Sequence, residues 1–95
     1  MEYQIDVLKS VRDKDIPKLK KSGIDLNSLH RKLTQLKTNP YTTSKAKTGD
    51  LCGYRAVDFN KGYRLLIKID EIEHRVTIIS IDNHDDAYRK AKKRI

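Results

Sequence analysis

The chain has 95 residues, with 21 Lys and Arg against 13 Asp and Glu, for a net charge of +8. Its length supports one domain, residues 1–95, with a modest core, since 37% of residues are hydrophobic and it has one Phe and no Trp. A single cysteine, Cys52, excludes an internal disulfide, no Cys/His cluster offers four zinc ligands, and no apolar run reaches membrane-spanning length. The expectation is a soluble cytoplasmic protein with no metal, cofactor or membrane requirement and with a polyanionic partner, because clustered Lys and Arg release counterions from phosphate backbones.

In chain order, Tyr3, Ile5 and Val7 alternate with Gln4 and Asp6, the period of a half-buried strand. Pro17 suits the first turn of a short helix that stops at Ser22-Gly23. From Asp25, Leu26, Leu29, Leu33 and Leu36 recur at three and four residues, which predicts a helix with one inward leucine stripe. It ends before Asn39-Pro40, since a residue preceding proline is pushed out of the helical region. Tyr41 to Asp50 is polar and aperiodic and reads as a loop carrying Lys45 and Lys47.

Leu51 to Tyr88 is the organising stretch and reads as three strands joined by tight turns. Tyr63, Leu65, Ile67 and Ile69 alternate with Arg64, Leu66 and Lys68, so one face is core and the other partly cationic. A two-residue turn at Asn60-Lys61 would put Arg55, Arg64 and Lys68 on one face, whereas a three-residue loop would move Arg55 to the other. Arg75 to Ile81 is β-branched and apolar on both sides, as in a central strand. Asp85 and Asp86 open a final helix with the basic end Arg89-Lys90-Ala91-Lys92-Lys93-Arg94, a charge order that complements the helix dipole. The predicted fold is α+β: two N-terminal helices packed on a mostly antiparallel four-stranded sheet, with a short C-terminal helix.

Glycine-rich phosphate loops, a nucleophile elbow and metal-ligand spacings are absent from the sequence. The chemistry-bearing side chains singled out are the cations Lys45, Lys47, Arg55 and Arg64, with the imidazole of His84 and the phenol of Tyr88. Cleavage of RNA by its own 2'-hydroxyl requires a base for that hydroxyl, a cation at the phosphate and an acid for the leaving 5'-oxygen. Arginine and histidine can meet the last two needs.

The order of a strand, two helices and three strands, with Leu-x-Gly-Tyr-Arg, Gly-Tyr-Arg-Leu-Leu-Ile-Lys-Ile and a terminal Ile-x-x-His-Asp-Asp-Ala-Tyr, resembles the RelE/ParE toxin superfamily. Lys-Lys-Ser-Gly-Ile-Asp-Leu at 20–26 and the His-x-x-x-Tyr ending resemble its YafQ and RelE branches of ribosome-dependent mRNA interferases. The resemblance implies the toxin of a type II toxin-antitoxin system, a metal-independent endoribonuclease that cuts mRNA in the ribosomal A site. The implied partners are the ribosome, mRNA and a cognate acidic antitoxin, in an antitoxin-bound hetero-oligomer.

By position, Arg64 matches the strand arginine that stabilises the scissile phosphate, and Arg55 a basic residue of RelE-type members. His84 matches the proposed general acid and Tyr88 the aromatic residue four positions on. Lys45, Lys47 and Lys68 are candidate RNA contacts. Where RelE-type members carry a second basic residue this chain has Val57, and no acidic hairpin residue of the YafQ branch has a clear match; Asp58 is a poor base if it points to the core. Two rival readings are a ParE-like inhibitor of DNA gyrase with the same fold and a non-catalytic basic module that binds structured RNA.

Overall fold

The computed structural model describes residues 2–95. Its strands are β1 (Gln4–Val7), β2 (Lys45–Ala46), β3 (Arg55–Phe59), β4 (Tyr63–Asp70) and β5 (Arg75–Asn83), and its helices α1 (Ile16–Lys21), α2 (Leu26–Thr38), α3 (Pro40–Thr43) and α4 (His84–Arg94). A π-helical turn, Val11–Asp15, leads directly into α1. The sheet has five strands, not four, in the order β1-β5-β4-β3-β2. The added strand is the two-residue β2, which lies in the segment expected to be loop and pairs Lys45 with Ala56 and Ala46 with Arg55. Two residues, Lys45 and Ala46, carry no period, so pairing with β3 alone makes them a strand.

β1 runs parallel to β5 at one edge, while the β3–β4 and β4–β5 pairs are antiparallel hairpins. β5 is therefore central, as its two-sided apolar sequence requires. Asp25 caps α2, its carboxylate accepting from Asn27 N at 2.9 Å, and Asn83 caps α4 by accepting from Asp86 N at 3.1 Å. Each such cap is worth about 1 kcal/mol.

The sheet separates two apolar clusters. Leu19, Leu29 and Leu36 of α1 and α2 pack on Val57, Phe59, Leu65, Ile67, Val76, Ile78 and Ile81. On the other face α4 contributes the buried Ala87 and Ala91 and the half-buried Tyr88, against Leu51, Ala56, Leu66 and Ile79. The second layer is thin, so α4 needs another anchor.

Two local features set which side chains reach α4. The first is a bulge in β5: Ile67 pairs with Ile78 and Leu66 with Ser80, leaving Ile79 unmatched. Strict alternation would put Ser80 and Asp82 on the face of Val76 and Ile78; the extra residue turns them toward α4 and returns Ile81 to the main core. The second is the β3–β4 loop. Phe59 pairs with Tyr63, so the loop is the three residues Asn60, Lys61 and Gly62, with φ of 49° at Asn60 and 81° at Gly62. Those left-handed angles suit Asn and Gly, the two residue types that adopt them at least cost.

Candidate functional site

The three-residue loop settles the hairpin register. Asp58 pairs with Arg64, and Arg55 with Ile67, so Arg64 and Asp58 share the α4 side while Arg55 lies on the opposite face. There its Nε donates to Ser44 Oγ at 2.6 Å and its Nη2 to the carbonyls of Ser44 and Tyr41 at 3.0 and 3.2 Å. Arg55 is a tie between β3 and the α3 segment, separated by the sheet from the other candidates. Asp58, in contrast, is exposed and points away from the core.

Arg64 is the hub of the α4 side. Its Nη1 donates to Tyr88 Oη at 2.6 Å, and its Nε lies 2.7 Å from Asp58 Oδ1. His84, the first residue of α4, meets the Tyr88 ring edge-on with centroids 5.0 Å apart. Its backbone N–H donates to Gly62 O at 3.0 Å, which fixes the start of α4 against the hairpin loop. The His84 Nδ1 is 3.0 Å from Asp85 Oδ1, so Nε2 is the ring nitrogen left for proton transfer. Asp58, Asn60, Gly62, Tyr63, Arg64 and His84 line an open cleft of about 330 Å³.

The lysines extend this face toward β2. Lys47 Nζ sits 4.9 Å from the Tyr88 ring centroid and Lys68 Nζ 5.9 Å from that of Tyr54. Lys45, opposite Ala56 at the sheet edge, is exposed. The structure thus brings Arg64, His84, Tyr88 and Lys47 together, with Lys68 and Lys45 farther along the same face. A larger cleft of about 580 Å³ between β1 and α2 is lined by Glu2, Tyr3, Gln4, Ile5, His30, Leu33, Thr34 and Lys37. Its charged residues, Glu2 and Lys37, belong to none of the ion pairs described for this chain, and it holds no arginine.

Beneath the site lies an ion cluster that holds α4. The buried Asp15 carboxylate accepts from Lys90 Nζ at 2.9 Å, from both Nη atoms of Arg94 at 2.8 and 3.0 Å, and from the Ile81 N–H at 2.9 Å. The buried Asp82 meets Lys18 and Lys90, each at 2.8 Å, and accepts from Asn83 N at 2.8 Å. Burial pushes the Asp15 carboxyl up, but Arg94, the Ile81 N–H and Lys90 outweigh it and hold the group below the ordinary carboxylate value. In Asp82 burial is likewise overcome, by Lys18, Lys90 and the Asn83 N–H. Burial pulls Lys90 down, yet Asp82 and Asp15 leave it above its usual value.

Depressed carboxylates stabilise the fold at pH values above their unfolded pKa and lose that contribution as pH falls through the folded pKa. Thermal melts followed by circular dichroism are therefore expected to hold a level Tm down to about pH 4, the ordinary carboxylate range, and to drop below it. A double variant, Asp15→Asn with Asp82→Asn, should start lower and show a shallower acid decline. Lys90 adds stability throughout this window, because a raised lysine loses its contribution only above about pH 10.4.

No family model matches the sequence. The RelE4 protein of Methanocaldococcus jannaschii is 28% identical over 91 residues, covering 95% of both chains. YafQ in the E. coli DinJ-YafQ toxin-antitoxin complex superposes with a TM-score of 0.76 at 18% identity, over 93% of this chain and 99% of its own. A double arginine-to-alanine mutant of the E. coli toxin RelE, in the free state, gives 0.70 at 19%, over 100% and 99%. The toxin-antitoxin complex RelBE2 of Mycobacterium tuberculosis gives 0.66 at 22%, over 88% and 100%. The chain has the RelE-like fold, and its similarity in sequence to a RelE-type protein runs nearly end to end.

Proposed function

We infer that this chain, which shares its fold with the RelE and YafQ toxins, is the toxin of a type II toxin-antitoxin pair and acts as an endoribonuclease on mRNA in the ribosomal A site. The observation that carries the reading is Arg64 held between the Tyr88 hydroxyl and the Asp58 carboxylate, with His84 at the mouth of the same cleft.

An RNA phosphate competes with Asp58 for the Arg64 guanidinium, which presents paired donors to a phosphate as well as to a carboxylate. When the phosphate wins, Arg64 balances the charge that grows on its oxygens, and the Tyr88 hydroxyl keeps the guanidinium aimed. The released Asp58 carboxylate is then beside the ribose and takes the 2'-hydroxyl proton. The 2'-oxygen forms its bond to phosphorus as the bond from phosphorus to the 5'-oxygen breaks, and protonated His84 donates from Nε2 to that leaving oxygen. The products are a 2',3'-cyclic phosphate and a free 5'-hydroxyl. Lys47 adds positive charge beside the Tyr88 ring.

The partner expected from the DinJ-YafQ and RelBE2 complexes is a cognate antitoxin, and the net charge of +8 suits an acidic one. Among the described residues no helix is long and apolar enough to cross a membrane.

The decisive assay adds the protein to programmed ribosomes with end-labelled mRNA, beside the same mRNA naked. Cuts inside the A-site codon that require the ribosome support the reading. Inhibition of DNA supercoiling by gyrase without any cut would replace it. Within that assay, His84→Ala and Asp58→Asn are each expected to lower the rate about 10²-fold, the lower end of general acid–base contributions. Were Asp58 only a counter-ion for Arg64, Asp58→Asn would instead tighten RNA binding and leave the rate unchanged or higher.

A further inference from the structure

One aromatic–lysine pair on the α4 side has no task in this chemistry. Tyr54 is half-buried against the cluster of Leu51, Ala56 and Leu66, and the Lys68 ammonium lies 5.9 Å from its ring centroid. We propose that Tyr54 and Lys68 form a second nucleotide subsite for single-stranded RNA, a base stacking on the Tyr54 ring while Lys68 takes an adjacent phosphate. The inference builds on the RNA-cleaving reading of the Arg64 cleft and extends it along the same face.

Position is the first support. Arg55 pairs with Ile67, so the antiparallel register sets Tyr54 opposite Lys68. Arg64, Leu66 and Lys68 share one face of β4, which puts Lys68 about 13 Å along the strand from Arg64. That separation suits a neighbouring nucleotide, not the one being cut. The two aromatic groups are also linked: Lys47 N donates to Tyr54 O at 3.0 Å, while the Lys47 ammonium lies over Tyr88. Lysine and tyrosine alternate from the β4 end of this face to the cleft, the pairing of cation and ring that tracks a single strand.

The second support is what covers Tyr54. A fully structural tyrosine is overlaid by apolar side chains; here the ring meets an ammonium whose side chain is exposed. Such a contact is weak and exchangeable, and a base stacked on the ring is the stronger alternative. The lysine displaced by the base remains close enough to meet its phosphate. The apolar body of Tyr54 is meanwhile seated on the sheet, so the platform is ordered before RNA arrives.

The chain has no Trp, so Tyr54→Trp installs a single tryptophan in the subsite. Titration with a short 2'-O-methyl oligoribonucleotide, which binds without being cut, is expected to quench its fluorescence saturably. Lys68→Ala in that background should weaken binding and reduce the slope of log K against log salt by about 0.7. Tyr54→Leu keeps an apolar body without the ring and should weaken oligonucleotide binding about tenfold, and raise KM in the ribosome assay while kcat holds; Tyr54→Phe should restore both. Absence of quenching, or Tyr54→Leu binding as tightly as Tyr54→Phe, overturns the subsite even if the native protein cuts mRNA. Quenching by a protein that never cuts upholds the subsite and removes the cleavage reading alone.

Discussion

Arg64→Ala is expected to lower ribosome-dependent cleavage by roughly 10²- to 10³-fold, the scale seen when one preorganised group facing developing charge is removed. The guanidinium is set by two partners of different kinds, the neutral Tyr88 hydroxyl at 2.6 Å and the anionic Asp58 at 2.7 Å. Only the second is exchanged for substrate, so the first keeps the donor aimed through the reaction. Arg64→Lys retains a charge but loses the planar fork that can hold tyrosine and phosphate together, and should recover only a small part of the rate. Stability should fall only modestly, by about 1 kcal/mol for the part-buried bond to Tyr88, because Asp58 is 65% exposed at its side chain and an exposed pair contributes little. Single-turnover cleavage alongside urea denaturation tests both halves. A large loss of stability in Arg64→Ala would assign the residue to the fold instead.

Asp15→Ala is expected to have the reverse profile, with its main effect on stability. It leaves Lys90 and Arg94 without their shared carboxylate and the Ile81 N–H without an acceptor in a buried position. Breaking a buried pair typically costs about 3–5 kcal/mol. The lower end applies here, about 3 kcal/mol, since Lys90 and Arg94 retain some access to solvent and Lys90 keeps Asp82. Set against a typical total of about 5–15 kcal/mol, that is a large fraction. Asp15→Asn keeps an acceptor for Ile81 and should be less harmful than Asp15→Ala. Urea unfolding of the three proteins at pH 7 measures this directly; equal midpoints for native protein and Asp15→Ala would show that the thin apolar layer of Ala87 and Ala91 suffices to hold α4.

The regular elements were legible in the sequence because each has its own period. The leucine spacing of α2, the alternation of β4 and the two-sided apolar run of β5 are properties of single segments. The fold class followed from them, as did the mostly antiparallel sheet and the terminal helix. β2 was not legible, since a lysine and an alanine become a strand only through a partner.

The site was legible to the extent that residues lie on regular elements. Arg64, His84 and Tyr88 reach one place because strand parity and one helical turn put them there. The turn length between Phe59 and Tyr63 decides the place of both Arg55 and Asp58, and Asn60-Lys61-Gly62 is compatible with more than one loop. Only the strand register settles it, in favour of the three-residue loop: Arg55 lies on the far face and Asp58 joins Arg64. The anchoring of α4 was out of reach for a different reason. Asp15, Asp82, Lys90 and Arg94 are ordinary charged residues in the sequence, and what makes them a cluster is a bulge at Ile79 that no local signal announces.

The parallel pairing of β1 with β5 has a consequence for how the chain reaches its native state. Most of the chain's length separates these two strands, and among the described residues β5 is the only neighbour β1 has in the sheet. A nascent chain that has produced β1, α1 to α3 and even the β3–β4 hairpin still holds its first strand unpaired, and must close that long loop before β1 joins the sheet. Non-local pairing of this kind slows folding. The order of synthesis therefore delays the protein's competence until its last strand is made.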